Sequence, residues 1–428
     1  MKRKLLIIIL ILNIFLGIIP SAHAENEKPS INSSSALLAD ITSGKLLYSK
    51  NTDEKIQPGG FTKIMTAIVA IENMVDKNET VIADVNTLAG YDYSFGHMGI
   101  LADEMLSLDN LLHGMLLYDA GDAAEVIAQY SFSSRNKFIQ KMNDKAVEIG
   151  ALNTKFTNPT GFPDKKQYST VEDIYKITKY AMELEYFKDI VKRQRYEMKP
   201  TNKYKENRYL DNTNKFVNAT ATGGYYTSKA KGVKTSYIDD SNCGLIIQYE
   251  NDNLKFMTIV SGAKYDGVTN YAYDDTSKLI KYALDYYTNV KVISSQDILA
   301  EIELTNGKNA DRILLEATED IYVNLPKGYD PKKLETKVKL EKNIKAPISK
   351  GKILGVVKVL YDGEEYVSAP LTSPIEVKAN NIKGIFKKVW GFLTSPILLV
   401  SLGLLLIIVV WSTLIFNKKK TYKIDKRK

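Results

Sequence analysis

The sequence is poor in cysteine and histidine, and each shortage excludes a class of site. Its 428 residues contain one cysteine, Cys243, so no disulfide can form within the chain. Of its three histidines, His97 and His113 lie far apart and lack the spacing of metal ligands. We therefore expect no metal site and no cofactor. Stability must come from a buried hydrophobic core, for which the chain is long enough.

Charge is absent from an apolar run near the N-terminus. A basic start over residues 2–4 precedes this run, 5–19, and a small-residue pattern follows at 22–24. This order predicts a secretory signal peptide over 1–24, removed after Ala24. A retained N-terminal membrane helix is the alternative.

Charge is also absent from 397–416. Twenty residues at helical rise span roughly 30 Å, the thickness of the bilayer hydrocarbon, so we predict a transmembrane helix over 396–416. The lysines that follow place a basic tail, 417–428, in the cytoplasm. A buried soluble helix is the alternative. Before it, 382–393 predicts an amphipathic helix at the membrane face, with apolar positions Ile382, Ile385, Phe386, Val389 and Trp390.

The predicted topology accounts for the net charge of +8. Residues 1–24 carry +3 and residues 418–428 carry +6, which leaves −1 for 25–417. The basic balance therefore reflects membrane orientation and gives no reason to expect a nucleic-acid partner. We expect a single-pass protein of the cell membrane with most of its chain outside the cytoplasm.

Between the termini, the first half of the chain combines helical and strand patterns. A helix apolar on most sides is predicted over 61–74, further helical spacing over 107–130, and strands within 230–265. Mixed strands and clustered helices indicate an α/β (α+β) domain over 36–288. A polar segment, 25–35, is predicted to be a flexible leader.

Residues 291–378 have a different texture, with short runs of alternating apolar and polar residues. Two such runs flank Asp362-Gly363, a dipeptide typical of hairpin turns. We predict a small all-β domain here.

The start of the predicted helix contains the segment from Pro58 to Thr66, PGGFTKIMT. It resembles the Pro-Ala-Ser-x-Thr-Lys-x-Met-Thr segment of the serine D-alanyl-D-alanine carboxypeptidases, which are low-molecular-mass penicillin-binding proteins. Other segments similar to that family follow in the family's order: Phe156–Gly161, Asn212–Lys215 and Gly232–Thr235. The resemblance covers about 36–378 and implies a serine β-lactamase/transpeptidase-like domain followed by the small all-β domain.

The family's chemistry uses the motifs Ser-x-x-Lys, Ser-x-Asn and Lys-Thr-Gly. A serine and a lysine three residues apart on a helix share a face, so the lysine can take the serine's proton. The resemblance implies that Gly60 stands at the nucleophile position, while Lys63 is retained. The base is present and the nucleophile is missing.

The other two motifs also depart from the family's pattern. The resemblance implies that Asp119 replaces the serine of the second motif and Gly121 its asparagine. In the third motif Lys234 and Thr235, the expected substrate-binding pair, remain, but Ser236 replaces the glycine. A side chain there would crowd the backbone edge where a peptide would lie.

Other hydroxyls are poor substitutes for the lost serine. Thr62 lies about 100° around the helix from Lys63, and Thr66 lies one turn further inside the apolar helix. Ser236 is on another element and nothing marks it as activated. Loss of the nucleophile in comparable serine enzymes costs about 10⁶ in turnover. We expect acyl-serine chemistry to be lost; the alternative is a rewired hydrolase using Asp119 and a water.

Asp119 has a more economical interpretation. In the family's geometry Lys63 and Lys234 converge, so without serine and substrate two ammonium groups would face each other. A carboxylate at 119 could pair with one or both of them and remove the cost of like charges. A solvated helix-cap aspartate is the alternative.

Three functions remain open. The chain could be a catalytically silent family member that binds peptidoglycan stem peptides through Lys234 and Thr235. It could be an active carboxypeptidase that trims terminal D-alanine. It could also be a structural partner of envelope proteins with no ligand.

Overall fold

The computed structural model describes residues 28–251, 254–295, 297–380, 390–391 and 395–424. The chain divides into two compact units. The first holds the described residues up to Val292 with Tyr322–Glu335 and Val359–Ser368; the second holds Ile293–Ile321, Thr336–Lys358 and the described residues from Ala369.

Seventeen strands occur among the described residues. They are β1 Ser35–Asp40, β2 Leu46–Lys50, β3 Thr80–Ile82, β4 Met105–Ser107, β5 Arg195–Met198, β6 Arg208–Asp211, β7 Ala230–Tyr237, β8 Cys243–Glu250, β9 Lys255–Ala263, β10 Tyr287–Ile293, β11 Ile298–Thr305, β12 Arg312–Ala317, β13 Ile321–Pro326, β14 Leu334–Leu340, β15 Ile344–Lys345, β16 Ile353–Tyr361 and β17 Glu364–Thr372.

Nine α-helices accompany them in the described residues. They are α1 Thr62–Asn73, α2 Val85–Ala89, α3 Leu108–Leu117, α4 Gly121–Ser131, α5 Arg135–Ile149, α6 Val171–Ala181, α7 Glu185–Val191, α8 Tyr271–Tyr286 and α9 Pro396–Ile424. Two short 3-10 turns are Gly59–Phe61 and Pro331–Lys333.

The central sheet has the strand order β2-β1-β9-β8-β7, with antiparallel neighbours throughout. Successive residues of β1 lie in two different hydrophobic clusters: Leu37 and Ala39 pack in one, Ala36 and Leu38 in the other. Since alternate residues of a strand point to opposite faces, the sheet is covered on both sides. The larger cluster contains α1, and the smaller one contains α8.

The predicted helix over 61–74 is confirmed as α1, with every residue from Thr62 to Ala70 buried. The helical spacing over 107–130 forms two helices, α3 and α4, rather than one. Ser107 caps α3 by accepting from the Asn110 N–H group, as its sequence position indicates. The break between these helices places Tyr118, Asp119 and Ala120 at the edge of the first unit's core.

The end of the predicted flexible leader is packed, which corrects that expectation for its last residues. Ile31 and Ser33 are buried. The buried Asp275 carboxylate accepts from the Ser33 N–H and hydroxyl groups, each at 2.7 Å, and from the Asn32 N–H group at 3.0 Å. These bonds fix the chain as it enters β1.

The region predicted to be all-β contains strands and one 3-10 turn within its described residues. Six strands form a sheet with the order β14-β16-β17-β12-β11-β15. Asp362 and Gly363 both have positive φ, 54° and 82°, as a tight turn between β16 and β17 requires.

At the C-terminus, side chains are described for 395–397 and 400–416. Within the described residues no helix is both long and apolar enough to cross a membrane, so the transmembrane helix predicted over 396–416 is not supported here. The predicted signal peptide lies outside the described residues, as do most of 382–393 and the end of the tail.

Candidate active-site cleft

The 3-10 turn Gly59–Phe61 leads directly into α1 and sets the position of two motif residues. Gly60 lies in this turn and Lys63 in the first turn of the helix, where both are buried. The Lys63 side chain is 5% exposed. The first motif is therefore at the N-terminal end of the buried central helix, as the sequence predicts.

Asp119 brings the first and third motifs together. Its Oδ1 atom lies 3.0 Å from Lys63 Nζ and 2.7 Å from Lys234 Nζ. The predicted pairing of this carboxylate with both lysines is therefore present. Asp119 has a φ of 64°, and the N-cap residue of α4 is Ala120, which makes no side-chain capping bond. The helix-cap alternative is wrong.

The two ammonium groups keep the Asp119 carboxylate ionised. Burial raises its pKa, but the charges of Lys234 and Lys63 outweigh burial and hold the pKa below the usual value of 3.8. Burial lowers the pKa of Lys234, Lys63 lowers it further, and Asp119 opposes both. Asp119 Oδ1 is inaccessible to solvent, although 22% of the side chain is exposed. One carboxylate between two ammonium groups therefore lowers the net charge of the cluster from +2 to +1.

The space beside Gly60 is occupied by β7. A Cβ atom at residue 60 would lie 2.6 Å from the Thr235 carbonyl oxygen, 3.1 Å from Ser236 Cα and 3.4 Å from Asp119 Oδ1. Contacts of 2.6 Å are repulsive for a carbon atom and backbone oxygen, so a serine side chain does not fit without a shift of the strand. Glycine at 60 permits this close approach.

Ser236 connects β7 to the turn before α1. The Gly60 N–H group donates to Ser236 Oγ at 2.9 Å, and Ser236 Oγ donates to the Pro58 carbonyl oxygen at 3.4 Å. A hydroxyl held between a backbone donor and a backbone acceptor has no base to activate it. Ser236 therefore replaces the family's glycine with a structural bridge, and it is not placed as a nucleophile.

The two threonines of α1 are equally unsuited to catalysis. Thr66 Oγ1 donates to the Pro159 carbonyl oxygen at 2.7 Å, and both Thr62 and Thr66 are fully buried. Neither presents a hydroxyl to solvent, which agrees with the sequence-based expectation.

Lys234, one of the two residues predicted to bind substrate, has a side chain that is closed off from solvent. Its side chain is 0% exposed, and Nζ also donates to the Thr235 carbonyl oxygen at 3.1 Å. The Thr235 hydroxyl is partly exposed and lies 2.7 Å from the hydroxyl of Thr213. Of the predicted substrate-binding pair, Thr235 alone remains at the surface.

Tyr91 fills the space left by the second-motif asparagine, and no sequence motif pointed to this residue. A Cβ atom at Gly121 would lie 2.5 Å from Tyr91 Oη, which donates to the Gly96 carbonyl oxygen at 2.5 Å. Burial, followed by the charges of Asp122 and Asp119, raises the pKa of Tyr91, so its phenol remains a donor. The aromatic ring of Tyr91 therefore occupies the volume that an amide side chain at residue 121 would need.

Asp122 keeps the loop beside the site in place. Its buried carboxylate accepts from the backbone N–H groups of Met98, Ile100 and Ala123 at 2.9 to 3.2 Å. These bonds join the start of α4 to the loop before β4. Asp122 therefore positions the loop beside the site.

A cleft of about 450 Å³ remains above the ion cluster. Four aromatic residues line it together with small and polar groups. The lining residues are Gly60, Lys63, Ser94, Phe95, Gly96, Tyr118, Asp119, Thr160, Gly161, Phe162, Pro163, Thr213, Tyr237 and Ile238. Lys63 and Asp119 are the charged residues of this lining, and the other lining residues are uncharged.

Two family models match the chain. The model described as D-alanyl-D-alanine carboxypeptidase matches residues 22–265, more than half of the sequence. The model described as penicillin-binding protein 5, C-terminal domain, matches residues 287–379.

Curated proteins and solved structures agree with these matches. The D-alanyl-D-alanine carboxypeptidase DacF of Bacillus subtilis is 28% identical over 400 residues, covering 91% of this chain and 98% of the relative. DacC of Escherichia coli is 25% identical over 388 residues, with coverage of 87% and 91%.

Penicillin-binding protein 5 from Haemophilus influenzae has the same fold, with a TM-score of 0.66 at 22% identity over 82% of this chain and 98% of that one. The family models, the relatives and the ordered motifs around the cleft lead to the same conclusion. The chain belongs to the D-alanyl-D-alanine carboxypeptidase family of penicillin-binding proteins.

Proposed function

We propose that this protein is a non-catalytic member of its family that binds peptidoglycan or assists its assembly. The observation that carries the proposal is the position of Asp119 Oδ1, within 3.0 Å of both motif lysines and beside a glycine where a nucleophile would stand. The carboxylate engages the amine that would accept the serine proton. The site therefore lacks both an attacking group and a free base.

The departures from the family's motifs depend on one another structurally. This favours a site that is inactive as a whole over a site that lacks only the serine hydroxyl. Restoring serine at Gly60 brings its Cβ atom against the Thr235 carbonyl oxygen. Ser236 holds that strand to the same turn through the Gly60 N–H group. Reversal of any one change leaves the others in place.

The cleft also favours a particular mode of ligand contact. A peptide carboxylate has no access to Lys234, because that side chain is fully buried and already paired. The aromatic side chains and the Thr213 hydroxyl suit the uncharged part of a stem peptide instead. We expect weak binding that does not require a free terminal carboxylate.

The experiment follows release of D-alanine from a pentapeptide ending in D-alanyl-D-alanine. The natural chain and Gly60→Ser should both release none above background. Combining Gly60→Ser with Asp119→Ser, Gly121→Asn and Ser236→Gly should restore measurable turnover once Tyr91→Ala has cleared the space beside residue 121. Release by the natural chain would overturn the proposal, and full recovery from Gly60→Ser alone would mean that the rest of the site is intact.

An active enzyme using Asp119 and a water is the second candidate. A general base must be free to accept a proton. Asp119 lies between two ammonium groups and its pKa is lowered, which makes it a weak base. A D-alanine release rate that Asp119→Asn abolishes would favour this candidate over the first.

We also propose that the C-terminal segment anchors the chain in the membrane, on the strength of its sequence. Residues 397–416 carry no charge, and the lysines after them are typical of a cytoplasmic flank. Extraction of cell membranes with alkaline carbonate tests this proposal. The full chain should remain in the pellet, whereas a chain ending at Asn380 should be released.

A further inference from the structure

The second of the two compact units has a lysine-rich end. Six lysines share it, all exposed: Lys308, Lys342, Lys345, Lys350, Lys352 and Lys378. We call this set the basic end. None of these six ammonium groups is in an ion pair with a described residue.

Backbone bonds bring three separate stretches of chain to the basic end. The Lys308 N–H group donates to the Lys378 carbonyl oxygen at 2.8 Å. Lys345 pairs with the last residue of β11. The Ser373 N–H group donates to the Lys352 carbonyl oxygen at 3.1 Å. The lysines are therefore gathered by the fold, although they are spread over 71 positions of sequence from 308 to 378.

The basic end keeps an excess of positive charge after its acids are counted. The stretches 305–311, 341–352 and 373–380 hold the six lysines and three acids, Asp311, Glu341 and Glu376, for a net charge of +3. Ile375, beside them, is 52% exposed. A group of unpaired cations next to an exposed apolar side chain suits a flat anionic surface with an apolar interior.

We propose that the basic end docks on the anionic phospholipid headgroups of the membrane. This inference rests on the membrane anchoring proposed above. Only 16 positions separate Asn380 from Pro396, the first residue of α9, so an anchored helix keeps the basic end within about 60 Å of the bilayer. Such a tether raises the local concentration of headgroups around these lysines. Phosphate-rich wall polymers are also anionic, but the membrane anchor does not hold them close to these lysines.

The test uses the full chain reconstituted in vesicles and labelled at one position. Cys243 is buried, so Ser349→Cys, an exposed position between Lys345 and Lys350, supplies a single accessible thiol for a polarity-sensitive dye. The dye's quenching by headgroup-labelled lipids should be strong with one-third phosphatidylglycerol and weak with phosphatidylcholine alone. High salt should reverse it, because ions screen exposed charges.

Two matched variants locate the effect. Replacing Lys345, Lys350, Lys352 and Lys378 by glutamine should abolish the quenching, with a loss of about fivefold in the docked-to-free ratio per lysine. Replacing the exposed residues Lys165, Lys166, Lys203 and Lys205 by glutamine makes the same change of charge and should have no effect.

Three results would overturn the inference: no quenching in anionic vesicles, equal loss in both variants, or a preference for soluble polyglycerol phosphate over vesicles. Co-flotation with vesicles separates these results from a failure of anchoring. A chain that floats with phosphatidylcholine vesicles but is never quenched is anchored without docking. A chain that does not float contradicts the anchor itself.

Discussion

Two parts of the cleft differ in how far they depart from the family's pattern. We call the residues around the ion cluster the floor, and the loops beside it, such as Asn158–Phe162, the frame. In the frame, Asn158 matches that pattern, and its Oδ1 atom accepts from the Gly161 N–H group at 2.7 Å and the Phe162 N–H group at 3.1 Å. On the floor, Gly60 and Asp119 depart from it, as does Ser236, which bonds to Gly60 from β7. The frame is retained where side chains satisfy buried backbone groups, whereas the floor consists of residues whose family role is chemical.

The difference teaches that the fold depends on the backbone contacts of the frame and tolerates other residues on the floor. Buried backbone N–H groups need partners in any folded state, so the asparagine loops stay useful without a reaction. Two buried lysines, in contrast, destabilise the folded protein unless a counterion lies between them. Asp119 supplies that counterion by pairing with both, as the distances of 3.0 and 2.7 Å indicate.

The largest effect is expected when the floor loses its carboxylate. Asp119→Ala would leave Lys63 and Lys234 buried together without a counterion, which should lower the free energy of unfolding by about 3 to 5 kcal/mol. Urea unfolding near neutral pH measures it. Adding Lys234→Met to this variant should recover much of the loss. If Asp119→Ala is as stable as the natural chain, the two lysines do not depend on that carboxylate.

A frame substitution should cost somewhat less. Asn158→Ala removes the acceptor for two backbone N–H groups at a buried position and should destabilise the protein by about 2 to 3 kcal/mol. Asn158→Asp keeps the acceptor oxygen and should retain more of the stability, so it serves as the matched control. If the natural chain, Asn158→Ala and Asn158→Asp were equally stable, the Asn158 side chain would not be needed for folding and the argument for the frame would fail.

Restoring the serine hydroxymethyl group should have a smaller effect. Gly60→Ser forces β7 away from the Cβ atom and should lower the free energy of unfolding by about 1 to 3 kcal/mol. Gly90→Ser is the control, because a Cβ atom there meets nothing within 4 Å. A stabilised Gly60→Ser variant would mean that the cleft is open enough for a nucleophile.

The smallest effect is a change in the acid limb of stability. The folded pKa of Asp119 is below its ordinary value of 3.8, so its contribution is complete above that pH and is lost as the pH falls through the folded pKa. Urea unfolding of the natural chain and of Asp119→Asn, from about pH 5 to about pH 2, should give a difference that narrows on acidification. A constant difference would contradict the ion-pair account.

Local pattern was enough to predict the buried helix α1 and the hairpin at Asp362-Gly363, whereas the order of the motifs came from the family resemblance. The resemblance also implied that Lys63 and Lys234 converge, and charge then predicted that Asp119 pairs with them. The Ser236 bridge to Gly60 did not follow, since it joins residues 176 positions apart. Tyr91 beside Gly121 and the packed end of the leader were missed for the same reason: periodicity describes one element and not its distant partners.

The most direct test of an inert cleft is intact-mass spectrometry of the full-length protein after incubation with benzylpenicillin. We expect the unmodified mass at every time point, because no side chain at the base of the cleft is both exposed and activated for attack. A stable increase by the mass of the antibiotic, mapped to any residue of the cleft, would contradict it.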